Sequence, residues 1–142
     1  MSIPESEQGS ASIELAVLTP VVLLVLALVI AGGRIVTANA ALDTATTAAA
    51  RAASLARTAG HAQTAARTVT DHALGEHGLH CTDQHLAVDT GGFATTPGHT
   101  GTVTVRTSCT VPLAELSLPG LPGSVALTSE FASPLDPYRE RI

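Results

Sequence analysis

The chain has 142 residues, enough for one domain and too few for two substantial ones. Its seven basic residues are all Arg, its twelve acidic residues are scattered, and the formal net charge is −5, which excludes a basic surface for nucleic acid. The hydrophobic fraction of 45% comes from Ala, Val and Leu, because the chain has two Phe, one Tyr and no Trp.

An uncharged run over residues 15–33, LAVLTPVVLLVLALVIAGG, predicts a transmembrane helix. At about 1.5 Å per residue it would span about 28 Å, close to a hydrocarbon core of about 30 Å. Pro20 lies near its start, where Thr19 or neighbouring backbone can satisfy the carbonyl that proline leaves without a donor. The alternative of a buried helix in a soluble protein needs a surrounding core that so short a chain cannot supply.

A secretory signal peptide is a second alternative for this run. The run is longer than the usual apolar region of a signal peptide, of about 7–15 residues, and no basic segment precedes it. Residues 31–33 lead directly into Arg34 and further helical sequence, so the small residues of a cleavage site are poorly placed. The sequence therefore favours a membrane helix over a removable signal.

The residues before the apolar run, GSASIE over 9–14, place a carboxylate at the fifth position after a glycine. A carboxylate at the edge of a bilayer helix is costly, so such a residue usually has a function. The pattern resembles the signal of type IV prepilins, which a dedicated peptidase cuts after the glycine. This resemblance implies a leader over 1–9 that ends at Gly9, Ser10 as the new N-terminus of a transmembrane helix over 10–33, and Glu14 as the carboxylate used in assembly.

Beyond Arg34 the sequence remains helical to Thr58, Gly60 interrupts it, and His61 to Leu74 predicts a second helix. We therefore expect an extended extracytoplasmic helix region over 34–75. Small residues recur in its first part at alternating spacings of three and four, namely Ile35, Ala38, Leu42, Ala45, Ala49, Ala52 and Ala56. This stripe fits a stalk that packs laterally in a bundle, and it fits equally a helix that packs on its own domain.

The period changes from helix to strand over 76–142, the predicted β domain. In Thr102–Val111 apolar and polar residues alternate, which predicts a strand with one buried and one solvated face. Leu86 and Val88 indicate a preceding strand, and residues 125–131 indicate a following one, with turns at 91–101 and 118–123. The predicted fold class is α+β: a transmembrane helix that continues into a long helix, followed by a small antiparallel three-stranded sheet, as in pilin-like proteins.

Two cysteines, Cys81 and Cys109, lie in this small domain. In the chain-entropy model, a bridge between them would raise the free energy of unfolding by about 3–4 kcal/mol. We therefore predict a disulfide, and with it an oxidising, extracytoplasmic location. Charge alone points the other way, because the leader holds Glu5 and Glu7 and Arg34 follows the helix. We expect a single-pass protein with its C-terminal domain outside, because large domains translocate largely regardless of charge.

A group of possible metal ligands lies between the second helix and the first strand. Its spacing matches no standard zinc site, so we interpret it as a solvated loop and predict no metal. No nucleophile elbow, P-loop or dinucleotide fingerprint is present, and we predict neither enzymatic activity nor a cofactor. The residues of the group are His72, Glu76, His77, His80, Cys81, Asp83 and His85.

Four segments together resemble actinobacterial TadE-type proteins: GSASIELAVLTPVVLLVLALVIAGGR, AAARAASLAR, VTVRTSCTVPL and ASPLDPYRER. The resemblance implies a minor pilin or pseudopilin that a prepilin peptidase processes and that helps assemble or anchor a Tad (tight adherence) Flp-type pilus. It implies that peptidase, other pilins and pseudopilins, the pilus assembly platform and membrane lipid as partners. The alternative is an uncleaved, membrane-anchored extracellular binding domain, which leader processing would distinguish. An anchored hydrolase or metal enzyme would need a site that the sequence does not show.

Overall fold

The computed structural model of the protein describes residues 8–116 and 120–138, with side chains from Ser12 onward. Two helices precede a three-stranded antiparallel sheet of order β1-β2-β3, and a short 3-10 helix over Gly91–Ala94 links the first two strands. The elements are α1 (Gln8–Ser54), α2 (Ala59–Glu76), β1 (Asp83–Asp89), β2 (Thr102–Pro112) and β3 (Ser124–Pro134). This confirms the predicted α+β fold class.

The helix α1 has two parts with different surroundings. From Ile13 to Ile30 its large apolar side chains are all at least half exposed. From Ala31 to Ser54 a stripe of small residues is buried against the rest of the chain. The buried residues of this stripe are Ala31, Ala38, Ala41, Leu42, Ala45, Thr46, Ala49, Ala50, Ala53 and Ser54. One continuous helix therefore has an exposed apolar part and a second part that packs in the domain core.

The stripe packs on the chain's own domain. Its first part, with Ala38, Leu42 and Ala45, forms a core with Leu74 of α2 and with Cys109, Val111 and Leu127 of the sheet. A second core joins the later alanines of α1 to α2 and β2; its buried members are Ala49, Ala50, Ala53, Ala62, Ala66, Val103, Val105 and Leu135. Of the two interpretations of the stripe, the structure thus favours a helix that packs on its own domain.

The break between the helices lies earlier than the sequence indicated. Helix α1 ends at Ser54 rather than near Thr58, and α2 begins at Ala59, so that Gly60 lies inside its first turn. Thr58 has extended backbone angles, and its hydroxyl accepts a hydrogen bond from the His61 amide at 3.2 Å. The expectation of a break at Gly60 was wrong because this threonine cap starts the helix, and a first turn tolerates glycine.

The sheet has one face toward the helices and one toward solvent. In β2 the side chains of Val103, Val105, Thr107, Cys109 and Val111 are buried, as the alternation predicted. On the outer face, Arg106 forms a salt bridge with Glu130, which lies directly opposite it on β3. Because α1 lies over β2 and β3, the first strand has fewer contacts with the helices, and its inward Leu86 and Val88 are only half-buried.

Thr107 is the one polar residue in the middle of the buried face of β2. It is fully buried, and its hydroxyl has no hydrogen-bond partner among the described residues. Thr70, also fully buried, differs because its hydroxyl donates to the Ala66 carbonyl at 2.8 Å. An unpaired buried hydroxyl lowers stability, since it loses water without gaining a partner.

We predict that Thr107→Val raises the free energy of unfolding by about 1 kcal/mol, because valine has nearly the same shape and no polar group to leave unpaired. The measurement is chemical denaturation of the full chain in detergent micelles, with Thr70→Val as the matched control. The control should leave stability unchanged or lower it slightly. Equal changes in the two variants would contradict the assignment of an unpaired hydroxyl to Thr107.

Candidate functional site

The predicted processing site lies near the start of the described part of α1. Gly9 and Ser10 are both helical, and residues 1–7 of the predicted leader lie outside the described residues. The bond between Gly9 and Ser10 is therefore part of the same continuous helix as Glu14 and the apolar run.

Glu14 lies one turn further along, at the start of the apolar surface. Its side chain is exposed, and it has no hydrogen bond or ion pair with another described residue. Its neighbours Ile13 and Leu15 are 70% and 68% exposed. A single carboxylate thus stands among unpartnered apolar side chains, and it is available to a cation from another molecule.

Helix α1 is long and apolar enough to cross a membrane, and an 18-residue window of it reaches a mean hydropathy of 2.8. Only 6% of that window is buried within the chain, as expected for a helix whose side chains contact lipid or other helices. A core helix of a soluble protein would be covered. The N-terminal apolar helix therefore fits a membrane-anchored protein, as the sequence predicted.

The helix continues through Pro20. The hydroxyl of Thr19 donates to the Leu15 carbonyl at 2.7 Å. The carbonyl that Pro20 leaves without an amide donor is that of Ala16, four positions earlier. Of the two groups named in the sequence analysis, Thr19 does not bond this carbonyl, because its hydroxyl donates to the carbonyl four positions before its own residue.

A disulfide joins Cys81, which precedes β1, to Cys109 in the centre of the sheet. Next to it, both the amide and the hydroxyl of Thr82 donate to the Thr110 carbonyl, at 2.9 and 3.0 Å. The bridge and these hydrogen bonds hold the connection from α2 against β2. They thereby fix where β1 enters the sheet.

The possible metal ligands identified in the sequence are spread along an exposed surface. On α2, His72 Nδ1 lies 3.4 Å from Glu76 Oε2. On β1, His85 Nε2 lies 3.4 Å from Asp83 Oδ2. Cys81 is not a free thiol. Across the described ranges, no three His, Cys, Asp or Glu side chains are arranged to hold a metal ion.

Two surface depressions were not evident from the sequence. A groove between α2 and β1 has Leu86 and Val88 on the strand side and Arg67 on the helix side. A second, which we call the proximal cleft, lies near the end of the apolar span and is formed by residues distant in sequence. Its lining residues are Arg34, Thr37, Ala38, Ala41, His77, Gly78, Leu79, His80, Val111, Glu115 and Leu116.

The described start of α1 combines a helical glycine, a carboxylate without a partner among the described residues, and an apolar surface that the rest of the described chain leaves exposed. Residues 9–51 match the family model of the TadE-like proteins. The match begins at Gly9 and includes Glu14 and the whole apolar run, while α2 and the sheet lie beyond it. It supports the resemblance to the TadE-like family, whose members are pilus components. No curated protein and no solved structure matched the chain.

We predict that both cysteines resist alkylation in protein taken from its native envelope without reductant, because a disulfide leaves no thiol to react. After reduction in denaturant, mass spectrometry should detect two added labels, one for each cysteine in the chain. Reduction alone should lower the free energy of unfolding by about 3–4 kcal/mol. Labelling of both thiols before reduction would contradict the bridge and the predicted extracytoplasmic location.

Proposed function

We propose that this protein is a minor pilin or pseudopilin that helps assemble or anchor a Tad pilus of the Flp type. The observation that carries the proposal is the family match that begins at Gly9, five positions before Glu14, and includes the exposed apolar part of α1 that follows. The folded domain beyond residue 51 supports a minor component, because major pilins of this system resemble little more than the N-terminal helix. The match to actinobacterial members in particular is part of the proposal.

In this proposal a prepilin peptidase cuts between Gly9 and Ser10 and leaves the α-amino group of Ser10 at the membrane face. The glycine has no side chain to obstruct the active site of the peptidase. The C-terminal domain lies on the extracytoplasmic side, which the disulfide supports. Other pilins, pseudopilins and the assembly platform are the proposed partners.

Assembly would use the exposed part of α1. The small-residue stripe beyond Ala31 is already covered by α2 and the sheet, whereas residues 12–30 contact no other element of the described chain strongly enough to be buried. Lateral packing between subunits therefore uses the apolar span, the part of α1 over residues 12–30. At its start, Glu14 of one subunit would pair with the Ser10 amine of a neighbour. The Coulomb attraction of such a pair is much stronger in a low-dielectric setting than at a wet surface, and leaving one partner there alone is costly.

The second candidate is an uncleaved, membrane-anchored binding domain. The groove between α2 and β1 favours it, because Leu86 and Val88 are half-buried there beside a strand with a free edge. In that case the chain would keep its N-terminus and act through its domain alone. Processing of the N-terminus separates the two candidates.

We predict that membrane-extracted protein begins at Ser10 when the prepilin peptidase is present. N-terminal sequencing or intact-mass measurement detects this directly. Gly9→Val should block the cut, because a branched side chain would then occupy the position next to the broken bond. The matched control is Gly33→Val, where an added Cβ meets open space, and this variant should be cut normally. A wild-type chain that still begins at Met1 or Ser2 with the peptidase present would contradict the proposal.

We predict that Glu14→Leu and Glu14→Gln leave protein level, membrane fractionation and leader removal largely intact, while crosslinking to pilin partners and pilus formation fall. Removing a charge from the bilayer edge makes insertion easier, so a loss of assembly would reflect the missing ion pair. Glu76→Gln is the matched control, because this carboxylate is exposed on α2, outside the helix that carries Glu14. Normal piliation in a Glu14→Leu strain that lacks the native copy would eliminate the mechanism and favour the binding domain.

A further inference from the structure

The strand β1 is an edge of the sheet. Within residues 8–116 and 120–138 it pairs only with β2, and no bulge interrupts this pairing. None of its side chains is buried, whereas β2 and β3 each have several buried residues. An edge strand presents alternate backbone N–H and C=O groups that no neighbouring strand pairs. This strand has neither Pro nor Lys, two residues that commonly keep other chains away from a sheet edge.

A groove follows this edge on the face of the sheet that carries the helices. We call it the β1 groove; its lining residues are Gln63, Thr64, Arg67 and Thr68 of α2 and Leu86 and Val88 of β1, and its volume is about 500 Å³. The groove is open because α1 covers β2 and β3, where Val105 and Leu127 are buried, while α2 packs mainly on α1. Leu86 and Val88 are therefore only half-buried, although they point toward the helices.

One hydrogen bond joins α2 to β1 at an end of this groove. The Gln84 side chain donates from Nε2 to Oδ1 of Asp71 at 2.8 Å. Asp71 lies one turn after Arg67 on α2, at a spacing where the two could form an ion pair. The ion pairs of the described chain do not include Arg67, and its side chain is exposed. The β1 groove thus combines two apolar side chains with one cation that is available to a partner.

The unpaired backbone groups of β1 determine which kind of partner fits. A helix pairs its own N–H and C=O groups, so a helical partner would leave the edge of β1 unpaired. An extended segment can pair with β1 along its length, and every second side chain then points toward α2. Those side chains would contact Leu86 and Val88. The cation of Arg67 favours a carboxylate on the same face of the segment.

We propose that the β1 groove binds an extended peptide segment of a partner protein, which adds to the sheet as a fourth strand. Apolar residues at alternate positions pack on Leu86 and Val88, and an acidic residue on the same face pairs with Arg67. The opposite edge has no such groove, because α1 covers the inner face of β3, where Leu127 and Ser129 are buried. The inference concerns the folded domain alone, so it holds for either candidate function and does not depend on leader removal.

A synthetic peptide tests the proposal. The probe has Thr at its odd positions and Val, Val and Glu in turn at its even positions, so that one face is apolar and acidic. Its binding to the full-length protein in phosphatidylcholine nanodiscs is followed by fluorescence anisotropy. A second peptide has Arg in place of Glu, and a third is methylated at its backbone nitrogens. The protein variants are Arg67→Glu and, as the matched control, Arg57→Glu, which is exposed and outside the groove.

We expect the Arg67→Glu protein to bind the Glu peptide about tenfold more weakly than the wild type, and the Arg57→Glu protein to bind it normally. The Arg peptide should show the reverse preference. The methylated peptide should not bind, because it cannot donate backbone hydrogen bonds to β1. Absence of binding to the wild type, equal affinity of wild type and Arg67→Glu for the Glu peptide, or undiminished binding of the methylated peptide would overturn the proposal.

Hydrogen exchange locates the added strand. The bound Glu peptide should slow the exchange of amides in β1 and leave those of β3, the other edge of the same sheet, unchanged. Slower exchange in β3, or in neither strand, would overturn the proposal, because the peptide would then bind elsewhere. Resistance of the cysteines to alkylation and an unchanged far-UV circular dichroism spectrum show that the variants are folded.

Discussion

Close approach between backbones along α1 is the contact on which the folded domain depends. Four alanines of α1 and two of α2 are fully buried: Ala45, Ala49, Ala50, Ala53, Ala62 and Ala66. Alanine contributes little apolar area, so these contacts stabilise mainly by bringing large stretches of backbone into van der Waals contact. The scarcity of aromatic residues is consistent with this packing, because the core becomes dense through the close approach of the backbones. A larger side chain on this surface would separate α1 from α2 and from the sheet together.

The two parts of α1 have different surroundings. Its apolar side chains are bulky and exposed up to Ile30, and from Ala31 onward one face of it carries mostly small residues that are buried. The change occurs within one uninterrupted element, so the domain core begins where the fully exposed apolar surface ends. A soluble domain joined to its anchor by a flexible linker would not have this property. Here the position of the domain relative to the bilayer follows from the packing of the stripe.

The sequence was sufficient for the sheet because strand periodicity is a local property. The alternation around Val105 and Thr107 identified the buried face of β2, and short apolar patterns located both neighbouring strands. The helix break was misplaced because Gly60 is a general breaker, whereas the cap at Thr58 depends on one specific hydrogen bond. The stripe on α1 could not reveal its partner, since small residues accommodate any closely packed element.

Other features of the candidate site depend on contacts between distant parts of the chain. Nothing in the local pattern around Leu116 places it against Ala38, because that contact results from the whole sheet docking on α1. Glu14 was predicted as a site residue because it lies five positions after Gly9 and directly before the apolar run. Its lack of a partner among the described residues became apparent only in three dimensions.

The length of α1 has a mechanical consequence. Its 47 residues form a rod about 70 Å long, roughly twice the thickness of the hydrocarbon core, and its one proline lies near the start. From Val21 to Ser54 the apolar part of α1 and the domain therefore form one rigid unit. In a membrane, a tilt of a few degrees would displace the far end of the domain by several ångströms. Conversely, a lateral force on the domain would be transmitted along the helix to its apolar part.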